Sequence, residues 1–456
     1  MISALILIIG YLLAFGLTAL RIFNAVCVNE NWIRLHSALI WLKKLPVYYG
    51  ELSGPIINTI YPPLSFLPYA LAGHVQSPHT FIRLAAAVAV CCVYFPVLLW
   101  AFFWDKEAAK DRISSGLAFY FFISLGMLFY PIRNAAFNIH ADAPMLFFSA
   151  LAVFLISQER FRSKALFLFL SSAAAVLAVW SKQVAIAVPA AALSYILLTD
   201  GVKRSLKYLI FLIICAAAAS AFFFKTFSVQ NLLFQILVIP EHHPFRADAA
   251  EWVWPLLRDI LILTPMILIA IWPQLKEPAK SFREWCRVRH WPVLFWTAIF
   301  MLPFSVLGGL KEGGSRNTIA YTTYFLLAGI AVAPLGRLQV RTRLQWLAVL
   351  CIIVQAAALP YELLLKPAEE DFAKTAESKI LADPGEIYFP RLPLLHLWYE
   401  NRIYHDTIGL RDRVWAGMDP SEKRLLAHIP ENAKAIAFYE HDSDDMDLFR
   451  GVLTEF

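Results

Sequence analysis

The feature that most constrains this chain is a series of eleven apolar runs, each near the length needed to cross a bilayer. A spanning helix needs about 20 apolar residues to cover a hydrocarbon core of roughly 30 Å. Hydrophobic residues make up 59% of the 456 residues and charged ones only 16%, far from the balance of a water-soluble domain. The runs fall near residues 3–24, 81–104, 114–131, 143–157, 165–181, 184–199, 207–224, 255–273, 291–308, 318–335 and 344–361. The sequence therefore predicts an α-helical polytopic membrane protein with about eleven spans.

Positive charges between the runs predict the orientation. If the N-terminus is cytoplasmic, the inside loops carry more than twice as many Lys and Arg residues as the short outside connections. Cytoplasmic loops of membrane proteins hold this excess. An odd number of spans then puts the C-terminus outside. Because the net charge of +6 is distributed among loops and not gathered on one face, it does not indicate nucleic-acid binding.

Residues 28–80 are predicted to form one long outer loop. The stretch 57–73 is apolar but contains Tyr61, Pro62 and Pro63, and adjacent prolines remove two backbone donors, which disfavours a helix in the middle of the bilayer. Counting it as a span would also reverse the charge bias of every later loop. In the same loop, apolar residues recur at helical spacing and predict an amphipathic interfacial helix: Trp32, Leu35, Leu39, Leu42 and Leu45.

The composition becomes polar after Pro360. A helical pattern covers 366–382, and two strand-like runs begin at Glu386 and Ala435. We therefore predict two domains: a transmembrane domain over 1–361, and a small extramembrane α+β domain over 362–456 on the outer side.

Ionisable residues collect on the predicted outer face. Glu30 follows the first run and is interpreted either as a solvated carboxylate or as a general base or metal ligand. Asp142 precedes the fourth run, where a helix N-cap is the competing interpretation. Lys182 lies between the fifth and sixth runs and could simply extend towards water. The pair His242 and His243 could bind a metal, but adjacent loop histidines more often do not.

Several short motifs along the chain, in a consistent order, resemble those of one enzyme superfamily. They are Glu30 with Trp32, Tyr61-Pro62-Pro63-Leu64, His140-Ala-Asp142-Ala-Pro144, Trp180-Ser-Lys182-Gln183, and Gly313-Gly314-Ser-Arg316-Asn317. The pattern is similar to that of the GT-C glycosyltransferases, which include the protein O-mannosyltransferases and the lipid A aminoarabinose transferase. His140 stands where the family more often has Arg.

The resemblance implies a function and a set of residue roles. The function would be transfer of a sugar from a polyprenyl-phosphate donor to a glycan, lipid or protein acceptor, at the outer face of a bacterial inner membrane. Glu30 and Asp142 would be catalytic, with Lys182, Arg316 and Arg133 binding the donor phosphate. Whether a divalent cation such as Mg²⁺ or Mn²⁺ is used stays open, Glu30 and Asp142 being the candidate ligands. The remaining candidates would line the cavity or the acceptor loop: Tyr61, Pro62, Pro63, His140, Gln183, His242, His243 and Asn317.

Two other classes of function compete with this one. A lipid-linked sugar flippase or other transporter would also collect polar residues near a cavity, but it should show broken helices or repeated halves at mid-membrane depth. A membrane scaffold whose tail binds a partner is the third class. It would not explain the order of the loop motifs.

Overall fold

The computed structural model describes residues 2–103, 112–275, 279–333, 340–364, 368–418, 420–438, 447 and 449. In the first half of the chain, the described residues form twelve α-helices: α1 Ile2–Phe23, α2 Asn29–Arg34, α3 His36–Leu42, α4 Leu67–Ala70, α5 Pro78–Phe103, α6 Arg112–Leu128, α7 Tyr130–Phe137, α8 Asp142–Ser157, α9 Glu159–Arg162, α10 Ala165–Val179, α11 Ala187–Asp200 and α12 Val202–Thr226.

The part of the second half that the structure describes adds twelve helices and two short strands. They are α13 Val229–Leu233, α14 Ile239–His242, α15 Ala249–Leu261, α16 Thr264–Leu275, α17 Phe282–Val288, α18 Pro292–Leu310, α19 Ala320–Val332, α20 Val340–Leu364, α21 Ala368–Ala382, β1 Ile387–Tyr388, α22 Pro393–Tyr399, α23 Thr407–Trp415, α24 Glu422–Leu426 and β2 Ala435–Ile436. Single 3₁₀ turns cover Asn24–Cys27, Pro63–Ser65, Gln183–Ile186 and Arg316–Ile319, and a π-helical turn covers Phe234–Val238.

An apolar helix lies within each of the eleven predicted spans, which confirms the polytopic helical class. Within the described residues, six helical segments are long and apolar enough to cross a membrane by themselves. A seventh is counted if α6 and α7, which meet at a bend of 92°, form one span. Others are shorter; α8, for example, has 16 residues, or about 24 Å of helix.

The short helix α8 is surrounded by other helices. It packs against α5 and α10, and both α8 and α10 carry buried alanines. Small side chains let two helices approach closely inside a membrane, where polar groups can then bond between them. Ser171 on α10 donates such a hydrogen bond to the Ala152 carbonyl on α8, at 2.8 Å. The packing holds the first residue of α8, Asp142, at a fixed place at one end of the bundle.

The predicted interfacial helix of the outer loop is present as the pair α2 and α3. The apolar side chains Trp32, Leu35 and Leu39 are buried. They face protein, since α3 packs against α4 and against α22 of the tail. The outer loop therefore forms a layer between the membrane helices and the tail.

The tail contains the predicted mixture of helices and strands. The helix predicted over 366–382 is α21, and the two predicted strands pair in parallel, with Ile387 opposite Ala435 and Tyr388 opposite Ile436. The tail docks on the outer loop through backbone contacts, such as the Asp406 N–H donating to the Ile56 carbonyl at 3.0 Å. The division between 1–361 and 362–456 stays a prediction, and α20 extends to Leu364.

Candidate functional site

Asp142 is the fully buried first residue of α8. Its Oδ1 accepts a hydrogen bond from Lys182 Nζ at 2.7 Å, and its Oδ2 lies 2.7 Å from His140 Nδ1. Asn317 Nδ2 donates to the same Oδ2 at 3.3 Å. Among the described residues, the carboxylate thus binds side chains of three other segments and not the N–H groups of its own helix. The structure does not support the alternative N-cap interpretation of Asp142.

Lys182 follows α10 and is buried. Besides its ion pair with Asp142, its ammonium group lies 4.7 Å from the ring centre of Tyr61 and 5.1 Å from that of Tyr321. A cation enclosed by two aromatic faces and a carboxylate is stabilised inside the protein. Lys182 therefore does not extend to water, and the alternative interpretation as a snorkelling residue is wrong.

His140 completes the cluster next to Asp142. Burial lowers the pKa of His140 to about 4, so its ring is neutral at pH 7 and its Nδ1–H can donate to Asp142. The ring packs edge to face against Tyr61, at 5.3 Å between centroids. The Tyr69 hydroxyl donates to the His140 carbonyl at 2.7 Å. The outer loop thus fixes His140 from two sides.

The Tyr61-Pro62-Pro63-Leu64 segment and the residue before it, Ile60, are attached to the Trp180-Ser-Lys182-Gln183 segment by two hydrogen bonds. The Leu64 N–H donates to the Trp180 carbonyl at 3.1 Å. Pro62 and Pro63, just before it, have no N–H and cannot make such a bond. Gln183 Nε2 donates to the Ile60 carbonyl at 2.8 Å and also to the Ile236 carbonyl at 2.6 Å. Two motifs that are far apart in sequence therefore form one wall beside Asp142.

The local structure requires a glycine at both Gly313 and Gly314, for different reasons. Gly313 has a φ of +76°, which strains any residue with a side chain. A Cβ atom on Gly314 would lie 2.1 Å from the Gly308 carbonyl oxygen, at the end of α18. The turn therefore needs both glycines in order to deliver Asn317 to Asp142.

Glu30 lies on α2 and pairs with Arg34, one helical turn later, at 2.7 Å. The Glu30 side chain is 47% exposed and that of Arg34 only 18%. The Arg34 guanidinium is the main cause that lowers the pKa of Glu30 below its usual value, so Glu30 is ionised at neutral pH. Asn31 joins this helix to the His140 segment, because its Oδ1 accepts from the Ile139 N–H at 2.9 Å.

A narrow cavity lies between the outer loop and the start of α8. It is lined mainly by polar and aromatic side chains, including Arg34, Asn58, Tyr61, Ser65, Tyr69 and His140. Within the described part of the chain, Arg34 Nη1 is buried and has no hydrogen-bond partner. An unpaired buried guanidinium nitrogen is costly, so the cavity is suited to an anionic group. Sequence reasoning missed Arg34, although its spacing of four from Glu30 on a helical pattern was the available signal.

The other four candidate residues, two arginines and two histidines, have partners other than Asp142. Arg316 forms a two-pronged ion pair with Asp259, with both Nη2 contacts at 2.8 Å. Arg133 is on α7, with its guanidinium 5.6 Å from the Tyr130 ring centre. His242 Nδ1 lies 2.8 Å from the Val238 carbonyl. His243 is buried against the tail, with its Nε2 3.0 Å from the Asp412 carbonyl.

The two candidate metal ligands, Asp142 and Glu30, both have other partners in this structure, and the use of a divalent cation stays a prediction. Both carboxylate oxygens already bind donors, and the Lys182 ammonium occupies a position beside Oδ1 where a cation would lie. Glu30 is paired with Arg34. Over the residues that the structure describes, no group of three or more His, Cys, Asp or Glu side chains is placed to hold a metal ion.

Comparison of the sequence with protein-family models and with curated proteins gave no match. A solved structure has the same fold: ArnT from Cupriavidus metallidurans bound to undecaprenyl phosphate, with a TM-score of 0.52 and 16% sequence identity. The alignment covers 92% of this chain and 77% of the ArnT chain. ArnT is a lipid A aminoarabinose transferase of the GT-C superfamily. The fold expected from the motifs is therefore confirmed: this chain is a polytopic helical membrane protein with the fold of ArnT.

Proposed function

We propose that this protein is a glycosyltransferase that moves a sugar from a polyprenyl-phosphate donor to an acceptor at the outer face of a bacterial inner membrane. The observation that carries the proposal is the cavity beside the Asp142–Lys182 cluster, which holds the unpartnered Arg34 Nη1. It lies in a chain that shares its fold with ArnT, whose solved structure contains undecaprenyl phosphate.

The proposed donor class follows from the location of the cavity. A polyprenyl-phosphate sugar keeps its tail in lipid and its phosphate at the membrane edge, and the cavity lies at the ends of the membrane helices, beneath the outer loop. Arginine binds phosphate oxygens with strong, directed hydrogen bonds. Lys182 and Arg316 each already bind a carboxylate, so we assign the first phosphate contact to Arg34. The phosphate-binding roles of Lys182, Arg316 and Arg133 stay predictions.

The proposed reaction is an inverting displacement. The acceptor hydroxyl attacks the anomeric carbon while Glu30 takes its proton, the bond from that carbon to the phosphate oxygen breaks, and polyprenyl phosphate leaves. Glu30 is suited to be the base because it is ionised, half-exposed and paired with Arg34, which lines the cavity. Arg34 would hold Glu30 through Nη2 and the phosphate through Nη1, which places base and leaving group on one guanidinium. Asp142, already bound by three donors, would act by positioning Lys182 and His140.

Binding of undecaprenyl phosphate to the purified protein tests the proposed donor class. We expect binding that is absent with undecaprenol, which lacks the phosphate, and that weakens about tenfold or more in Arg34→Gln, since a charged hydrogen bond contributes about 1.5–3 kcal/mol. Arg83→Gln is the matched control, because Arg83 is a cation on α5 that binds the Phe23 carbonyl. Equal binding of the alcohol and the phosphate would contradict the proposal.

A further inference from the structure

A second, strongly basic cavity lies at the other end of the membrane helices. Helices α8, α10 and α11 have the Asp142–Lys182 cluster at one end, and this cavity of about 450 Å³ lies where α10 begins and α11 ends. Five cations from two segments line it: Lys203, Arg204 and Lys207 on α12, and Arg283 and Arg287 on α17. Its location separates it from the proposed donor site.

Two hydrogen bonds to α11 hold α17 beside this cavity. The Tyr195 hydroxyl of α11 donates to the Cys286 carbonyl at 2.9 Å, and Arg283 Nε donates to the Thr199 carbonyl at 3.2 Å. Gly201, at a φ of +90°, makes the tight turn by which α12 starts beside the end of α11. The cations are therefore held together by the fold and are not simply spread along solvated loops.

The cavity has an uncompensated positive charge. In the described part of the chain, Asp200 is the one carboxylate that lines it, and its buried side chain is already paired with Arg162 at 2.8 Å and Arg204 at 3.4 Å. Arg287 pairs with Glu159. Among the described residues, Lys203, Lys207 and Arg283 have no carboxylate partner. Like charges one helical turn apart, such as Lys203 and Lys207, repel each other, so a bound anion would stabilise this cluster.

Apolar surface continues directly from the cavity along the membrane helices. On α12, Leu206, Ile210 and Ile213 are exposed, and on α10, Leu166 and Leu170 are exposed. Since α12 is long and apolar enough to span a membrane, the cations lie at a boundary between water and lipid. A molecule with an anionic head and apolar chains would match both surfaces.

We propose that this cavity binds the phosphate of an anionic phospholipid headgroup, with the acyl chains lying along α10 and α12. If these cations served only to orient the chain in the membrane, they would need only to lie on one side of it. That role does not require the hydrogen bond from Arg283 to the end of α11. The inference does not depend on the proposed glycosyltransferase function.

Native mass spectrometry of the purified protein, with phosphatidylglycerol or phosphatidylcholine added, tests the inference. We expect retention of phosphatidylglycerol in preference to phosphatidylcholine, and a loss of about tenfold or more in its affinity in Lys203→Gln/Arg283→Gln, because two charged contacts are removed. The control is Lys164→Gln/Lys280→Gln, which removes two exposed cations that do not line the cavity. It should retain the lipid as the unsubstituted protein does.

Two outcomes would overturn the inference. One is an equal loss of phosphatidylglycerol binding in the control and in Lys203→Gln/Arg283→Gln, which would show that only the net charge of the protein matters. The other is displacement of the lipid by inorganic phosphate together with no preference between the two phospholipids. That result would make the cavity a site for the free anion and would exclude a role for the acyl chains.

Discussion

Asp142 and Lys182 form a buried ion pair whose members depend on each other. Lys182→Met would leave the carboxylate buried with only neutral donors, and breaking a buried pair in this way costs about 3–5 kcal/mol. In Asp142→Asn/Lys182→Met both charges are gone, so we expect most of the stability to return while sugar transfer stays lost. Thermal unfolding and transfer assays of the purified variants measure the two effects.

Lys164→Met is the control for this pair, since Lys164 is exposed at the start of α10, and its unfolding temperature should not change. A Lys182→Met protein as stable as the unsubstituted one would show that the Asp142 carboxylate is well solvated, contrary to its burial. Recovery of transfer in the double variant would remove both residues from the proposed reaction.

At the residue scale, the sequence predicted some of the residues that gather at the site but not how they pair. Motif order placed Asp142, Lys182, Gln183 and Asn317 on one face, and the structure brings them together. The pairing of Arg316 with Asp259 could not be predicted, because it depends on the packing of α15 against α18 and the turn before α19.

At the scale of elements, the contact between the outer loop and the tail depends on buried carboxylates. Asp412 Oδ2 accepts from Asn58 Nδ2 at 3.0 Å, and Asp406 Oδ2 accepts from the Asn58 N–H at 2.8 Å. Burial is the main cause that raises the pKa of Asp412 to about 7. The pKa of an unfolded Asp is near 4, so the folded state holds the proton of Asp412 more tightly than the unfolded state does. This adds to the free energy of unfolding fully below pH 4, and the contribution is lost as the pH rises through 7.

We therefore expect the tail to dock less firmly at pH 8.5 than at pH 5.5. Hydrogen exchange of the α23 amides, corrected for the intrinsic effect of pH, measures this. Asp412→Asn should weaken the pH dependence of protection without removing it, because burial also raises the pKa of Asp406 to about 7, whereas Asp383→Asn, at an exposed position, should keep the full dependence. Protection that increases with pH would show that Asp412 is ionised and stabilised in the folded protein.

The helical elements follow from sequence patterns more readily than their partners do. Apolar length predicted the spans, and the periodicity of Trp32, Leu35 and Leu39 predicted a helix in the outer loop. The same pattern cannot distinguish a face covered by lipid from one covered by protein, and here α22 covers it. The bend of 92° after α6 could not be predicted either, because Pro131 indicates that the helix breaks but not the angle of the break.

For the whole molecule, the charge bias predicts that the site and the tail face outward. A cysteine at Asn432, an exposed tail position, should react in intact cells with a membrane-impermeant maleimide. A cysteine at Lys164, at the opposite end of the bundle, should react only after the membrane is permeabilised. The reverse pattern would invert the predicted orientation and put the proposed reaction in the cytoplasm.

We propose that Glu30 is the base in sugar transfer from a polyprenyl-phosphate donor. The most direct test is the release of undecaprenyl phosphate from a panel of undecaprenyl-phosphate sugars, with water as the acceptor, by the purified protein and by Glu30→Gln. Gln can still hydrogen-bond with Arg34 but cannot take a proton, so we expect the rate to fall by roughly two to four orders of magnitude. Glu51→Gln, at an exposed carboxylate of the same loop, should release product at nearly the unsubstituted rate. Normal release by Glu30→Gln would show that Glu30 is not the base.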